Sequence, residues 1–277
     1  MPLIVFAAVM LAALLHASWN AIVKSAGDKF LTTIMVTASA SALSAALLPF
    51  LTAPAPASWP YAVGSAVLQT IYYLLLARTY QISDMSQAYP LMRGTAPLIV
   101  ALVSEYQMGD VLSSTAWAGV IGICLGVCSI ALGNKANDRK GIYLALLNAL
   151  VIAGYTLIDG IGVRRSGAPA AYTLWLFLLS GLPLTLWTAF ARKAAFFAYF
   201  GRYWRLGFAG GIGTTASYGL ALWAMTVAPI AVVAALRETS ILFGILIAAL
   251  VLRERVGTRR LISACIIACG AAILRLA

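Results

Sequence analysis

Charged residues are scarce in this sequence. They make up 10% of the 277 residues, whereas hydrophobic residues make up 62%. A soluble domain carries about 25% charged and about 45–50% apolar residues, so this deficit excludes an ordinary soluble globular protein. The high hydrophobicity also excludes a disordered chain. Because no polar stretch is long enough to form a soluble domain, we expect the whole chain to lie in a bilayer.

Side chains with acid–base chemistry are equally sparse. The chain has one histidine and eight aspartate and glutamate residues in total. It lacks an H-E-x-x-H motif and a phosphate-cradling glycine loop, so we expect no enzyme and no cofactor. Its four cysteines form Cys124-x3-Cys128 and Cys265-x3-Cys269 within apolar runs. A metal site needs about four suitable ligands, and we therefore interpret both pairs as packing residues.

Long apolar runs, bounded by charge, proline or glycine, predict the fold class. A spanning helix needs roughly 20 residues, and the runs predict an all-α integral membrane protein of ten transmembrane helices. The expected ranges are residues 2–23, 30–51, 60–81, 85–106, 114–133, 141–162, 170–190, 205–226, 229–252 and 259–276. The aromatic stretch between Lys193 and Arg202 is interpreted as a short interfacial helix. Pro90 and Pro97 predict kinks in the fourth helix.

The net charge of +11 reflects membrane topology rather than nucleic-acid binding, because the basic residues form no patch interleaved with aromatic residues. One set of loops holds Lys24, Lys29, Arg78, Lys135, Arg139, Lys140, Arg192, Lys193, Arg202, Arg205, Arg253, Arg255, Arg259 and Arg260. The other set holds Arg164, Arg165 and Arg275. The positive-inside rule places the first set in the cytoplasm. We therefore expect a multi-pass protein of a bacterial-type inner membrane with both termini periplasmic.

An internal repeat divides the helices into two groups of five. A polar linker at about residues 134–140 separates a first repeat, 1–137, from a second, 138–277. A shift of 144 positions aligns Arg93 with Arg237 and Thr95 with Thr239. An odd number of helices per repeat inserts the second half upside down. Inverted repeats are typical of secondary transporters, with the substrate site in a central cavity between the repeats.

Two arginines lie well inside predicted helices, away from the helix ends, where a charge is expensive and faces the bundle interior or water. Arg93 lies near the middle of the fourth helix, and Arg237 lies about a third of the way along the ninth. One interpretation is a pair of cationic anchors for a substrate carboxylate. The alternative is structural pairing, with backbone carbonyls freed by the prolines holding Arg93. Glu238 adjoins Arg237, but adjacent residues diverge on a helix and make poor partners.

Polar and aromatic residues on other helices extend the candidate site. His16 and Asn20 share one face of the first helix with Trp19 beside them. The alternative for these residues is hydrogen bonding or packing between helices, and the alternative for the aromatic residues is an interfacial belt. The candidate substrate-binding residues are His16, Trp19, Asn20, Gln69, Tyr73, Tyr89, Arg93, Tyr155, Tyr218, Trp223, Arg237 and Glu238.

The energy source for transport is left open by the sequence. Residues able to carry a proton in or near the bilayer are Asp84, Glu105, Asp159, Glu238 and His16. Asp159 shares a helix face with Tyr155, but it lies near the predicted helix end. There a solvated carboxylate is the favoured interpretation. Proton coupling and facilitated diffusion therefore both remain compatible with the sequence.

Several of these segments resemble a known family. The opening His16-Ala-Ser-Trp19-Asn20-Ala-Ile-Val-Lys24 is similar to the first helix of the ten-helix, EamA-type branch of the drug/metabolite transporter superfamily. The run from Tyr73 through Tyr89-Pro90 to Glu105 is also similar. So is the run from Ala221 through Pro229, Glu238 and Leu252-Arg253-Glu254-Arg255 to Gly270. The resemblance implies a basket of ten helices around a cavity and export of small metabolites, aromatic and other amino acids among them. This sequence has Arg93 or Gly94 where the family has a glutamate in the first half.

The function expected from these observations is export of amino acids or related small metabolites by alternating access. The alternatives are efflux of drugs or cationic compounds, and a membrane-embedded enzyme acting on lipid-linked substrates. The first alternative would favour an acidic cavity, and the second would favour clustered carboxylates or a metal. The expected partners are a small-molecule substrate and the lipid bilayer, without nucleic acid, and the expected assembly is a monomer.

Overall fold

The protein is helical throughout the part of the chain that the computed structural model describes, residues 1–83, 85–131, 139–251, 253 and 256–277. The helices are α1 (Leu3–Ser25), α2 (Lys29–Leu47), α3 (Trp59–Ile82), α4 (Met85–Met108), α5 (Ser114–Ser129), α6 (Arg139–Ser166), α7 (Pro169–Ala191), α8 (Lys193–Val227), α9 (Ile230–Arg237), α10 (Ser240–Leu250) and α11 (Thr258–Leu276). Two short 3₁₀ turns, Leu48–Phe50 and Pro56–Ser58, lie between α2 and α3. Since α9 and α10 divide one predicted helix, the ten predicted segments are confirmed.

The membrane character is visible in individual helices. Five segments are long and apolar enough to cross a bilayer on length and composition alone: Leu3–Ser25, Lys29–Phe50, Arg139–Ser166, Pro169–Ala191 and Ile230–Leu250. Helix ends are fixed by local chemistry. Asp28 accepts a hydrogen bond from the backbone N–H of Leu31 at the start of α2. Ser113 accepts one from Ala116 at the start of α5. Such caps satisfy donors that a helix leaves unpaired.

Three sequence predictions about the helices need correction or completion. The stretch after Lys193 is continuous with α8, so it is not a separate interfacial helix. The predicted ninth helix is interrupted after Arg237. Pro90 and Pro97 both lie inside α4, which continues through them as one helix. The predicted boundary between residues 137 and 138 lies outside the described residues, as do Asp84, Lys135, Glu254 and Arg255.

Several packing contacts between two helices have a counterpart in which the first-half and second-half helices have swapped roles. Helix α3 packs on α6, and its counterpart α8 packs on α1. Helix α4 packs on α6, and its counterparts α9 and α10 pack on α1. The pairs α2–α7 and α5–α11 join equivalent helices across the halves. Exchanging the halves therefore maps this set of neighbours onto itself, as an inverted repeat requires.

The backbone repeats at the same offset. Gly109 follows α4 with φ of 67°, and Arg253 follows α10 with φ of 55°. These positions are 144 residues apart, which is the offset that aligns Arg93 with Arg237. A non-glycine residue rarely adopts a positive φ, so the geometry that the two turns share is strained at Arg253.

We expect Gly109→Ala to destabilise the protein by about 1 kcal/mol, because alanine is strained at this φ while no atom crowds the added methyl group. Thermal unfolding in detergent measures the effect. Gly64→Ala is the matched control, because Gly64 also has open space around it but lies within α3. Equal effects of the two substitutions would contradict the conformational explanation.

The two halves share the same topology, but equivalent pairs of helices pack together to different extents. Helix α4 packs closely along α5, whereas α10 meets its equivalent neighbour α11 at few residues. Helix α2 packs closely on α8, whereas α7 and α3 have a smaller contact. Residues 230–236 of α9 are all buried, but only Ser240 and Ala248 are buried in α10. One end of the central space is therefore enclosed more tightly than the other.

The enclosed end is held by a basic side chain. Arg164 near the end of α6 donates from Nε to the carbonyl of Met225 at 2.7 Å and from Nη2 to the carbonyl of Ala228 at 3.0 Å. It also forms an ion pair with Asp110 at 3.3 Å. These contacts join α6 to the α8–α9 link and to the α4–α5 link. Arg165 and Arg275, the other basic residues of this side, bond to Tyr61 and to the carbonyl of Met1.

Glycine allows a close approach between the halves at the crossing of α5 and α11. A Cβ on Gly126 would lie 2.7 Å from Cγ1 of Ile267, and one on Gly270 would lie 2.8 Å from the backbone nitrogen of Ile123. The Gly122-x3-Gly126 motif is therefore an internal packing face, as small residues at helix interfaces permit. Cys124 on α5 is buried, whereas Cys265 and Cys269 on α11 are exposed.

Candidate functional site

A break in the ninth segment forms the centre of the candidate site. Glu238 and Thr239 link α9 to α10 with tightened turns, in which Glu238 N bonds to Ala235 O at 3.0 Å and Thr239 N bonds to Leu236 O at 3.0 Å. Glu238 and Thr239 keep right-handed helical dihedrals, so the break is a 3₁₀ turn within the segment Ile230–Leu250, and a 3₁₀ stretch in the middle of a helix often marks a functional hinge. The break positions Arg237 and Glu238 at the interior end of α9.

Glu238 forms a buried ion pair with the other half of the protein. Nε of Arg93 on α4 lies 3.0 Å from Oε2 of Glu238, and both residues are almost fully buried. This pair joins two residues that are 145 positions apart in the chain. The pairing partner of Arg93 is thus a carboxylate rather than backbone carbonyls freed by the prolines, and a role of Arg93 as a substrate anchor stays a prediction.

Arg237 has a different environment. Its guanidinium carbon lies 4.9 Å from the centre of the Tyr218 ring, a cation–π contact of the kind that aromatic faces offer. Among the described residues, no carboxylate forms an ion pair with Arg237. Arg237 is therefore the cation at this break whose charge is not neutralised by a direct partner.

A narrow cavity connects the two arginines. It is lined by Arg93, Ala96, Pro97, Val100, Ile152, Tyr155, Thr156, Ala234, Arg237 and Glu238. Its volume for the centre of a water molecule is about 10 Å³, which is space for about one water molecule. Helices α4, α6 and α9 thus meet around a small cavity that is lined by three charged side chains.

Aromatic side chains extend this centre along α3 and α6. The rings of Tyr72 and Tyr155 are 6.0 Å apart, and those of Tyr72 and Tyr73 are 5.2 Å apart. Tyr89 packs with this group on α4. Tyr72 was not among the residues predicted for the site. The spacing of Gln69 to Tyr73 contained the signal, because a residue three positions after Gln69 shares its face.

The remaining predicted residues make mainly local contacts. The amide of Asn20 donates to the carbonyl of His16 at 2.7 Å, and the amide of Gln69 donates to Ser65 at 3.0 Å. Trp19 meets His16 edge to face at 5.3 Å, and its indole N–H is buried without a hydrogen-bond partner. Trp223 packs against the core between α8 and α9. Of the predicted site residues, Arg93, Tyr155, Arg237 and Glu238 line the cavity. Its lining does not include His16, Trp19, Asn20, Gln69 and Trp223.

The interpretation of Asp159 as a solvated carboxylate is wrong. Its side chain is fully buried, at 0% exposure. Helix α6 continues to Ser166, which places Asp159 about 10 Å inside the helix end at 1.5 Å per residue. Tyr172 donates to its Oδ1 at 3.4 Å, and Tyr218 donates to its Oδ2. Asp159 is therefore connected through Tyr218 to the cation at the helix break.

Comparison with known protein families agrees with this two-part architecture. The sequence model described as the EamA-like transporter family matches residues 3–132 and again residues 139–276. The chain belongs to the EamA-like transporter family. The two EamA matches cover the two five-helix halves, so the fold is two inverted repeats around the central site.

A solved structure described only as "Crystal structure of protein" shares the fold at 19% sequence identity and a TM-score of 0.74, and the match covers 99% of this chain and 96% of that chain. No functionally curated protein matches the sequence. Members of the EamA-like family are transporters rather than enzymes, and this chain is accordingly a multi-pass membrane transporter of small substrates.

Proposed function

We propose that this EamA-like transporter exports amino acids or related small metabolites across a bacterial-type inner membrane by alternating access. The observation that supports the proposal most directly is the cluster at the helix break. Arg93, Glu238 and Arg237 carry formal charges of +1, −1 and +1. The sum is +1, which favours a ligand with an anionic group such as a carboxylate.

The surroundings of this charge fit the rest of an amino acid. Tyr155 and Tyr218 supply flat apolar surface within reach of Arg237, and Tyr72 extends it. A guanidinium binds a carboxylate through two parallel hydrogen bonds, which orients the ligand as well as holding it. We therefore assign Arg237 to the substrate carboxylate, and we assign the Arg93–Glu238 pair to holding α4 against the break.

The same cluster disfavours efflux of cationic compounds. Such ligands need an accessible carboxylate, and Glu238 is already paired with Arg93.

The proposed topology places the basic side of the protein in the cytoplasm and both termini in the periplasm. The proposed assembly is a monomer, because the small-residue face of α5 is already occupied by α11.

Substrate class can be tested by counterflow in liposomes that contain the purified protein. We expect unlabelled amino acids, presented in a panel with nucleosides, sugars and cationic dyes, to drive accumulation of a labelled amino acid. Activity with none of the amino acids would refute the substrate assignment. Activity with the cationic dyes alone would favour the efflux alternative.

The role of Arg237 is tested by Arg237→Gln. We expect amino-acid counterflow at subsaturating substrate to fall by about 10- to 100-fold, since a hydrogen bond to a charged group contributes about 1.5–3 kcal/mol. Arg205→Gln is the matched control, because Arg205 is exposed and also contacts an aromatic ring, that of Trp204. Counterflow by Arg237→Gln at the wild-type rate would overturn the assignment.

A further inference from the structure

A buried carboxyl group without a cationic partner lies next to the proposed substrate site. Asp159 accepts from the hydroxyls of Tyr172 and Tyr218, and the hydroxyl of Ser65 faces the same carboxyl. Gln69 in turn donates to Ser65 at 3.0 Å. Within the described residues, no arginine or lysine comes within ion-pair distance of Asp159.

Such a group is unusual inside a membrane protein. An isolated ionised carboxylate is strongly disfavoured in a low-dielectric interior, and it is stabilised by pairing or by binding a proton. Hydroxyl partners suit both forms of the carboxyl, because a hydroxyl can donate to the ionised form and accept from the protonated form. The environment of Asp159 is therefore suited to a proton that binds and leaves.

The other carboxylates in the described part of the chain have defined partners. Glu238 is paired with Arg93, and Asp110 with Arg164. Glu105 accepts from the indole N–H of Trp117 at 2.8 Å. Asp28 caps α2. Among them, only Asp159 is fully buried and lacks a cation.

A path leads from this carboxyl to the substrate site. The hydroxyl of Tyr218 donates a hydrogen bond to Asp159, and the ring of the same residue forms the cation–π contact with the guanidinium of Arg237. We propose that Asp159 is the proton-binding site of the transport cycle and that Tyr218 and Arg237 couple it to the substrate. This inference rests on the proposed function and adds the coupling ion.

The sign of the coupling follows from the charges around Asp159. The groups that face it are Tyr172 on α7, Tyr218 on α8, Tyr155 on α6, Ser65 on α3 and Arg237 on α9. Protonation removes the negative charge that attracts Arg237 through Tyr218. The guanidinium then becomes more available to a substrate carboxylate, so proton and substrate bind together.

The proton step needs no other reactant. Tyr218 is part-buried at the edge of the network, and its hydroxyl passes its proton to Asp159 while accepting one from a hydronium ion, which becomes water. The step reverses when the site faces the opposite side of the membrane. One proton thus crosses with each substrate in the same direction. Because the proton moves with the substrate, net export occurs when the outward gradient of the substrate exceeds the inward gradient of protons.

Liposomes with a clamped membrane potential test the coupling. With 1:1 stoichiometry, a pH difference of about one unit, acidic outside, supports about tenfold accumulation of the labelled amino acid by the wild type, since one pH unit is a tenfold ratio of proton activity. We expect Asp159→Asn to retain counterflow and lose this accumulation. Glu105→Gln is the matched control and keeps both activities. Tyr218→Phe retains the ring and slows the gradient-driven uptake.

Infrared spectroscopy supplies a measurement that needs no substrate. Acidification should produce a carboxylic-acid band in the wild type that is missing from Asp159→Asn or, if that variant does not fold, is altered in Tyr218→Phe. Counterflow without any response to the pH gradient, or a full response in Asp159→Asn, would overturn the coupling but leave the proposed function standing. Absence of amino-acid counterflow in the wild type would refute the proposed function instead.

Discussion

Replacing Glu238 with alanine should lower the free energy of unfolding by about 3–5 kcal/mol, because it leaves the guanidinium of Arg93 buried without its partner. The two groups are 3.0 Å apart and almost completely enclosed. Chemical or thermal unfolding in detergent measures the loss.

A double variant distinguishes the pair from its surroundings. Arg93→Met combined with Glu238→Met removes both charges and retains volume, and we expect it to be far more stable than Glu238→Ala. Replacement of a whole buried pair by apolar residues is often neutral. Asp110→Ala is a control with a partly exposed ion pair, for which the loss should stay within about 1 kcal/mol. If the effects of Arg93→Met and Glu238→Met simply added, the two side chains would not be energetically coupled.

The second large effect is expected at the crossing of α5 and α11. Gly270→Ala places a methyl carbon 2.8 Å from the backbone nitrogen of Ile123 and 3.0 Å from the carbonyl oxygen of Gly119. Backbone atoms cannot rotate away as a side chain does, so the helices must separate. Overpacking of this kind costs about 1–3 kcal/mol, and thermal unfolding in detergent reports it.

Gly122→Ala is the control for this substitution, because its added carbon would be 3.5 Å from Gly270, an ordinary contact. We expect Gly122→Ala to leave the melting temperature near that of the wild type. A loss of the same size in both variants would mean that the close approach of backbones at Gly270 does not determine the effect, since alanine has a higher helix propensity than glycine at both positions.

The sequence predicts the architecture well because its signals are local or periodic. Apolar runs are contiguous, so the ten segments follow directly from them. The offset between Arg93 and Arg237 predicts a repeat that the backbone shares, since Gly109 and Arg253 are separated by the same interval and both adopt a positive φ.

The site contains features that no local signal indicates. The break after Arg237 has neither proline nor glycine, and it lies inside an apolar run. The partner of Glu238 comes from the other half of the chain, so spacing within one helix cannot predict the pair. The sequence predicts the end of this helix at residue 162, whereas α6 extends to Ser166. Asp159 is therefore expected closer to a helix end than it is. Its burial depends on α3, α7 and α8, which are distant in sequence.

The unequal contacts of the two halves have a consequence for the resting state. Under the alternating access that we propose, each half already adopts the arrangement that its counterpart takes when the cavity opens to the opposite side, so α10 would close on α11 as α4 now closes on α5. With identical halves, the two states would have equal free energy. The sequence differences between them, such as Gly94 at the position equivalent to Glu238, therefore set the population of each state. A difference of about 1.4 kcal/mol between the states makes one tenfold more abundant than the other.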